Sequence, residues 1–151
     1  MRSEDNTFGV EKAEDSPGFL LWQVTNLWQR EIKKALEKYG LTHSQFVLMA
    51  SIHWLMLHKQ DVTQVLLSGH TKIDPMTTST VLRTLEQKGL IQRQEHAGDT
   101  RAKKVALTEE GKKIIKKAVV TVEQFDTKFF SLPGAGLKEL NKYLLMLLGQ
   151  Q

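Results

Sequence analysis

The residues best suited to chemistry lie between positions 76 and 104. Met76, Thr77, Ser79, Thr80 and Arg83 form a run rich in hydroxyls, with one arginine and no acidic residue until Glu86. Hydroxyl and guanidinium groups donate hydrogen bonds to phosphate oxygens and to base edges alike. A surface helix without a partner more often carries Glu–Lys pairs in such a place. Further on, Asp99 and Arg101 stand two apart in His96-Ala97-Gly98-Asp99-Thr100-Arg101, with Arg93, Lys103 and Lys104 adding positive charge on either side. An arginine on a slim hairpin can enter the minor groove of DNA, where narrow A·T tracts concentrate negative potential. Asp99 cannot itself favour phosphate, so its expected part is to brace the arginine or the turn.

The distribution of charge agrees with a polyanionic partner. The chain of 151 residues has a formal net charge of +4, and that charge is uneven. Residues 83–117 hold ten Lys or Arg against five Asp or Glu, whereas residues 1–16 hold two against five. A basic block on a folded segment suits a polyanion, although a solvated helix face gives the same count. Other chemistries find little support. There is no cysteine, which excludes disulfides, thiolate metal sites and thiol redox sensing. His43, His53, His58, His70 and His96 show no metal-ligand spacing, so neither metal nor cofactor is expected. No Ser-His-Asp pattern, paired carboxylates or Gly-rich phosphate loop speaks for an enzyme. No stretch approaches the roughly 20 apolar residues that span a bilayer. The acidic, polar N-terminus does not read as a signal peptide, so a cytoplasmic protein is expected.

These residues need elements to position them. Residues 1–16 lack apolar periodicity and read as a flexible acidic tail. A helix is expected from about Pro17 to Tyr39, with Leu21, Thr25, Trp28, Ile32 and Leu36 along one face and Gly40 as its stop. Thr42 and Gln45 make a capping box for a second helix reaching about Lys59, with Leu41 and Phe46 as the hydrophobic staple. Its expected buried side is Phe46, Met49, Ala50, His53, Trp54 and Leu57. A short helix is expected from Asp61, its cap, to His70, with Val62, Val65 and Leu66 inward. Asp74 and Pro75 then start a helix that ends at Gly89, with Leu85 and Leu90 placed for a Schellman ending. Within it Thr78, Val81, Leu82 and Leu85 face the core, leaving Met76, Thr77, Ser79, Thr80 and Arg83 outside. Strands at Ile91–Glu95 and Lys103–Leu107 flank the polar tip as a hairpin. Thr108 caps a further helix, broken at Pro133-Gly134, and a last helix starts near Ala135.

Helix, helix, short helix, helix, hairpin, helix, helix is the order of a winged helix-turn-helix. The fold class expected is therefore mainly α with a small β-hairpin wing. The terminal helices carry wide apolar stripes, including Leu20, Leu21, Val24 and Trp28 at one end and Phe125, Phe129, Phe130, Leu140, Leu144, Leu147 and Leu148 at the other. A two-fold homodimer covers such stripes most simply. The winged-helix lobe is placed at about 41–109 and the dimerisation helices at about 17–39 and 110–149, within one domain of residues 17–151.

Three runs together carry a family resemblance: "DPMTTSTVLRTLEQKGLIQR", "GDTR" and "KVALTEEG", preceded by "LTHSQFVLMASI". In this order and spacing they resemble the multiple-antibiotic-resistance regulator (MarR) family of bacterial regulators, over about Pro17 to Gly149. The resemblance implies an obligate dimer whose recognition helix enters the major groove and whose wing enters the minor groove of double-stranded DNA. It implies a sequence-specific repressor of an inverted-repeat operator, often released by a small aromatic or phenolic ligand. It further implies a ligand cleft between the dimerisation helices and the winged lobe, for which Trp22, Trp28, Phe46, Met49, His53 and Trp54 are the candidate walls. Aromatic residues at helical spacing are core more often than ligand wall, and that alternative stands beside this one. Many members carry Arg or Lys where this chain has Thr80, which shifts the expected base contact toward Arg83. The other function class that the residues allow is an architectural or protein-interaction module without specific DNA readout.

Overall fold

Among the described residues every α-helix but the last starts at a side chain that accepts one of its unpaired N–H groups. In the computed structural model, which describes residues 7–94 and 103–149, Ser16 accepts from Phe19 N at 3.3 Å and opens α1, Pro17–Leu36. Within the segment before it, Ala13–Asp15 form a 3-10 turn. A second 3-10 turn, Glu37–Tyr39, ends at Gly40 in the left-handed region. Thr42 and Gln45 form the expected capping box of α2, His43–Leu57, with both of its hydrogen bonds at 3.1 Å. α3 spans Gln64–Thr71, and α4 spans Pro75–Gln87 with Asp74 as its cap. α4 closes as the sequence indicates. Leu90 N donates to Leu85 O and Gly89 N to Glu86 O, both at 3.0 Å, with Gly89 at φ 73°. Strands β1, Ile91–Gln94, and β2, Lys104–Leu107, pair antiparallel with Ile91 opposite Leu107 and Arg93 opposite Val105. Thr108 caps α5, Glu109–Phe129, and α6 spans Gly136–Leu147. The fold is thus mainly helical with a two-stranded antiparallel wing, as expected. No helix of the described residues is long and apolar enough to cross a membrane.

The third helix departs from expectation. It begins at Gln64 with Thr63 as cap, not at Asp61. The reason is non-local: Val62 O accepts from Val105 N at 2.8 Å and Gln64 N donates to Lys103 O at 3.1 Å, so residues 62–64 run as an extended flank of the wing. The register moves accordingly. Leu67 is fully buried, Val65 is exposed, and Val62 is buried ahead of the helix.

The core joins Ile32 and Leu36 of α1, Leu48, Met49, Ile52 and Leu55 of α2, Leu82 and Leu85 of α4, and Ile115, Ala118 and Val122 of α5. The wing roots, Ile91, Val105 and Leu107, complete it. The buried side of α2 therefore differs from the expected one. Phe46 and Met49 are inside, but Trp54 and Leu57 are exposed, and Ala50 and His53 are only partly covered. α2 is apolar nearly all round, so periodicity cannot select its inner face; packing against α4 and α5 does. Two helix surfaces stay bare. The first half of α1 exposes Phe19, Leu20, Leu21, Trp22, Val24 and Leu27, and α6 has no buried residue.

Candidate nucleic-acid interface

Asp74 fixes the start of α4 with both carboxylate oxygens. Oδ1 accepts from Thr77 N at 2.8 Å and Oδ2 from Thr77 Oγ1 at 2.6 Å. These bonds favour the ionised carboxylate and lower its pKa. The helix then presents its faces as its spacing dictates. Thr78, Leu82 and Leu85 are fully buried, while Met76, Thr77, Thr80 and Arg83 are exposed and Ser79 is half-buried.

The hydroxyls are less available than their exposure suggests. Thr77 donates to Asp74, Thr78 to Ile73 O, Thr80 to Met76 O at 3.1 Å, and Thr84 to Thr80 O at 3.2 Å. Such back-bonding uses the single proton of each hydroxyl and leaves its lone pairs and methyl group outward. Ser79 enters none of these bonds. Among the described residues Arg83 forms no ion pair. The donors that this face can offer an anion are therefore Arg83 first and Ser79 second, with threonine methyls between them.

The wing residues separate. Alternation along β1 puts Arg93 on the same side as the buried Ile91, facing the helices. Its side chain is only 9% exposed, and Nη2 donates to Glu86 Oε1 at 3.2 Å. The expected surface cation at position 93 is thus an inward one, and the period-two pattern from Ile91 is the signal that reveals it. Lys104 lies on the outer side of β2 and pairs loosely with Asp61 at 3.7 Å, both being exposed. Lys103 is half-buried, and its carbonyl holds the start of α3. Asp99 and Arg101 lie outside the described residues.

The six candidate ligand-wall residues do not line one cavity. Phe46, His53 and Trp54 do meet, with Leu57, Val119 and Val122, around a cleft of about 500 Å³ between α2 and α5. Met49 is fully buried core. Trp22 stands two-thirds exposed on the outer face of α1. Trp28 packs edge-on to His43 and donates Nε1 to Asp126 Oδ1 at 2.8 Å, tying α1 to α2 and α5. Sequence reasoning missed His70, Glu123 and Asp126, which share the cleft rim from α3 and α5. They carry no local signal, because only the packing of α2 and α3 beside α5 brings them there. Burial, and then Lys116 and Lys112, lower the pKa of His53. The cleft is therefore an apolar, aromatic-walled hollow with two lysines close to its histidine.

Known proteins share both sequence and fold with this chain. Residues 37–125 match the family model described as ArnR1-like, winged-helix domain. An uncharacterised HTH-type transcriptional regulator, YdcH of Bacillus subtilis, is 42% identical over 134 residues, covering 85% of this chain and 91% of that one. The HTH-type transcriptional repressor Rv2887 of Mycobacterium tuberculosis is 28% identical over 138 residues, covering 91% and 96%. Its crystal structures with DNA and with salicylic acid superpose at TM-scores of 0.63 and 0.62. CouR of Rhodococcus jostii, solved with p-coumaroyl-CoA, shares the fold at a TM-score of 0.77 and 24% identity, covering 91% of this chain and 95% of that one.

Proposed function

The chain belongs to the MarR family of winged helix-turn-helix transcriptional regulators, and we propose that it acts as a homodimeric repressor of an inverted-repeat operator, released by a small aromatic ligand. The observation that carries the DNA reading is the outer face of α4. Arg83 projects there with no ion pair among the described residues, Thr80 and Met76 are exposed beside it, and the next acid, Glu86, is paired to Arg93. The bare apolar faces of α1 and α6 support the dimer, which places two such helices on one duplex about one helical turn apart.

Selection of binding sequences from a random duplex pool tests this. Wild type is expected to return a two-fold symmetric sequence. Arg83→Ala is expected to cost about 1–3 kcal/mol on that sequence and to relax one base pair per half-site, because a bidentate arginine–guanine pair is worth that much. Lys104→Ala is expected to weaken all duplexes equally and to lower the salt slope by about one per lost phosphate contact. Wild-type binding with no preferred sequence would assign the chain to the architectural class.

The α2–α5 cleft supports the ligand reading. Phe46, Trp54 and Leu57 offer apolar contact, and His53, with Lys112 and Lys116 acting on it, sets a polar, positively biased side against the carboxylates of Glu123 and Asp126 on the rim. His53 has a lowered pKa, so it is neutral at neutral pH and gains its proton only on acidification. An aromatic anion such as salicylate is expected to bind more tightly as pH falls from the ordinary histidine range through that lowered pKa. His53→Gln should flatten this rise, as read by titration calorimetry across about pH 5–8. An unchanged pH profile in the variant would remove His53 from the site.

A further inference from the structure

Glu86 sits three residues after Arg83 on α4, the spacing at which helix side chains pair. Left alone, it would draw the Arg83 guanidinium along the helix surface and away from DNA. Among the described residues Glu86 and Arg83 form no ion pair, and Arg93 takes both carboxylate oxygens of Glu86. Arg93 Nη2 donates to Oε1 at 3.2 Å and the Arg93 backbone N–H to Oε2 at 3.2 Å. Arg93 is itself held in place: Nη1 reaches Gln64 Oε1 of α3 at 3.5 Å, and the side chain is nine-tenths buried. Its Nε is buried with no hydrogen-bond partner among the described residues. An orphaned buried donor costs roughly 1–3 kcal/mol, so packing alone does not account for an arginine here.

We propose that Arg93 is a positioning residue for sequence readout, which acts by sequestering Glu86 so that Arg83 stays free to reach the DNA. The inference rests on the reading of α4 as the recognition helix. It assigns Arg93 no contact with DNA, and it makes the Gln64–Arg93–Glu86 bridge between α3, β1 and α4 a determinant of specificity.

The test uses a rescue. Arg93→Met keeps the apolar stem and removes the guanidinium. The readout is the ratio of affinity for the duplex selected by wild type to affinity for random duplex, measured at several salt concentrations. Arg93→Met is expected to lower this ratio about tenfold, within the range for loss of one arginine–base contact. The salt slope on random duplex should not change. Adding Glu86→Gln to Arg93→Met should restore most of the ratio, since a neutral amide no longer attracts Arg83. Glu86→Gln alone should stay near wild type, and Arg93→Met should have no further effect on an Arg83→Ala background.

If the double variant is as poor as Arg93→Met, the bridge is merely structural and the inference is overturned. A salt slope lowered by about one in Arg93→Met would mean that Arg93 touches phosphate, which also overturns it. An unchanged ratio in Arg93→Met alongside a loss in Arg83→Ala sinks the inference and leaves the recognition helix standing. No loss in Arg83→Ala overturns the Arg83 reading itself, and this inference with it.

Discussion

Leu144→Glu is expected to convert a dimer into a monomer at micromolar concentration and to abolish tight DNA binding. α6 has no fully buried residue, and Leu137, Leu144 and Leu147 along it and Leu148 at its end recur at helical spacing with 39–81% of their surface exposed. The first half of α1 repeats the situation at the other end of the sequence, with Phe19, Leu20, Leu21, Trp22, Val24 and Leu27 exposed by 41–67%. Fully burying an exposed apolar side chain is worth roughly 1.5–3 kcal/mol, and these are about half exposed, so leaving two whole stripes in water forfeits an amount comparable to a typical domain's net stability. A second copy would cover both stripes with one isologous interface. The glutamate discriminates sharply because its cost depends on that cover. On a monomer, a surface change at Leu144 is worth at most about 0.5 kcal/mol. In a dimer, it strands an unpaired charge in each half of the interface at about 3–5 kcal/mol apiece. Loss of the second half-site contact then removes avidity of roughly 10²–10⁴ in DNA affinity. Sedimentation or light scattering, with Asn141→Glu on the same helix as the control, gives the answer. A wild-type monomer, or a Leu144→Glu variant that remains dimeric, would overturn the assembly.

The parts of this architecture that local chemistry controls could be read directly. Thr42 with Gln45, Asp74 with Pro75, Gly89 between Leu85 and Leu90, and Thr108 before Glu109 each satisfy backbone groups within five residues of themselves, and each sits where its type requires. The inner face of α4 was legible for a related reason: Thr78, Leu82 and Leu85 form a narrow stripe with polar neighbours, so the period is unambiguous. What escaped depends on partners distant in sequence. The start of α3 is set by β2, some 40 residues on, through the pairing of Val62 and Gln64 with residues 103–105. The inner face of α2 is chosen by α4 and α5, since Phe46, Val47, Leu48, Met49, Ile52, Trp54, Leu55 and Leu57 leave no polar side to orient it. Arg93 counts as a cation in any charge tally, and only the alternation from Ile91 and the presence of Glu86 turn it inward. The ligand-wall residues scatter because aromatic character says nothing about which helix faces which.

Gly111→Ala is expected to destabilise the protein by about 3 kcal/mol, against the sign that helix propensity alone gives. Gly111 occupies the first turn of α5 with a backbone that any residue can adopt, so replacing it with alanine should gain roughly 0.5–1 kcal/mol if nothing else intervened. What intervenes is a knot of backbone. Leu90 O accepts from Thr108 N at 3.1 Å, Thr108 Oγ1 donates to Gly89 O at 2.7 Å, and the same hydroxyl accepts from Gly111 N at 3.0 Å. This joins the end of α4, the start of β1 and the start of α5, and it holds α5 so close that a Cβ at position 111 would collide with the Leu90 carbonyl oxygen. Neither the carbonyl nor the Cβ has a rotamer to escape through, so α5 must shift and break the Thr108 cap. Overpacking of about 1–3 kcal/mol and a lost cap of about 0.5–2 kcal/mol outweigh the propensity gain. That is the physical content of the L-T-x-x-G run at Leu107–Gly111: threonine caps the helix, and glycine lets it approach the wing root. Gly69 in α3 supplies the control, since a Cβ there meets nothing within 4 Å. Gly69→Ala should stabilise by roughly 0.5–1 kcal/mol. Denaturant unfolding at one fixed protein concentration, which holds any dimer contribution constant, measures both. Equal and stabilising shifts in the two variants would refute the close approach of α5 to Leu90.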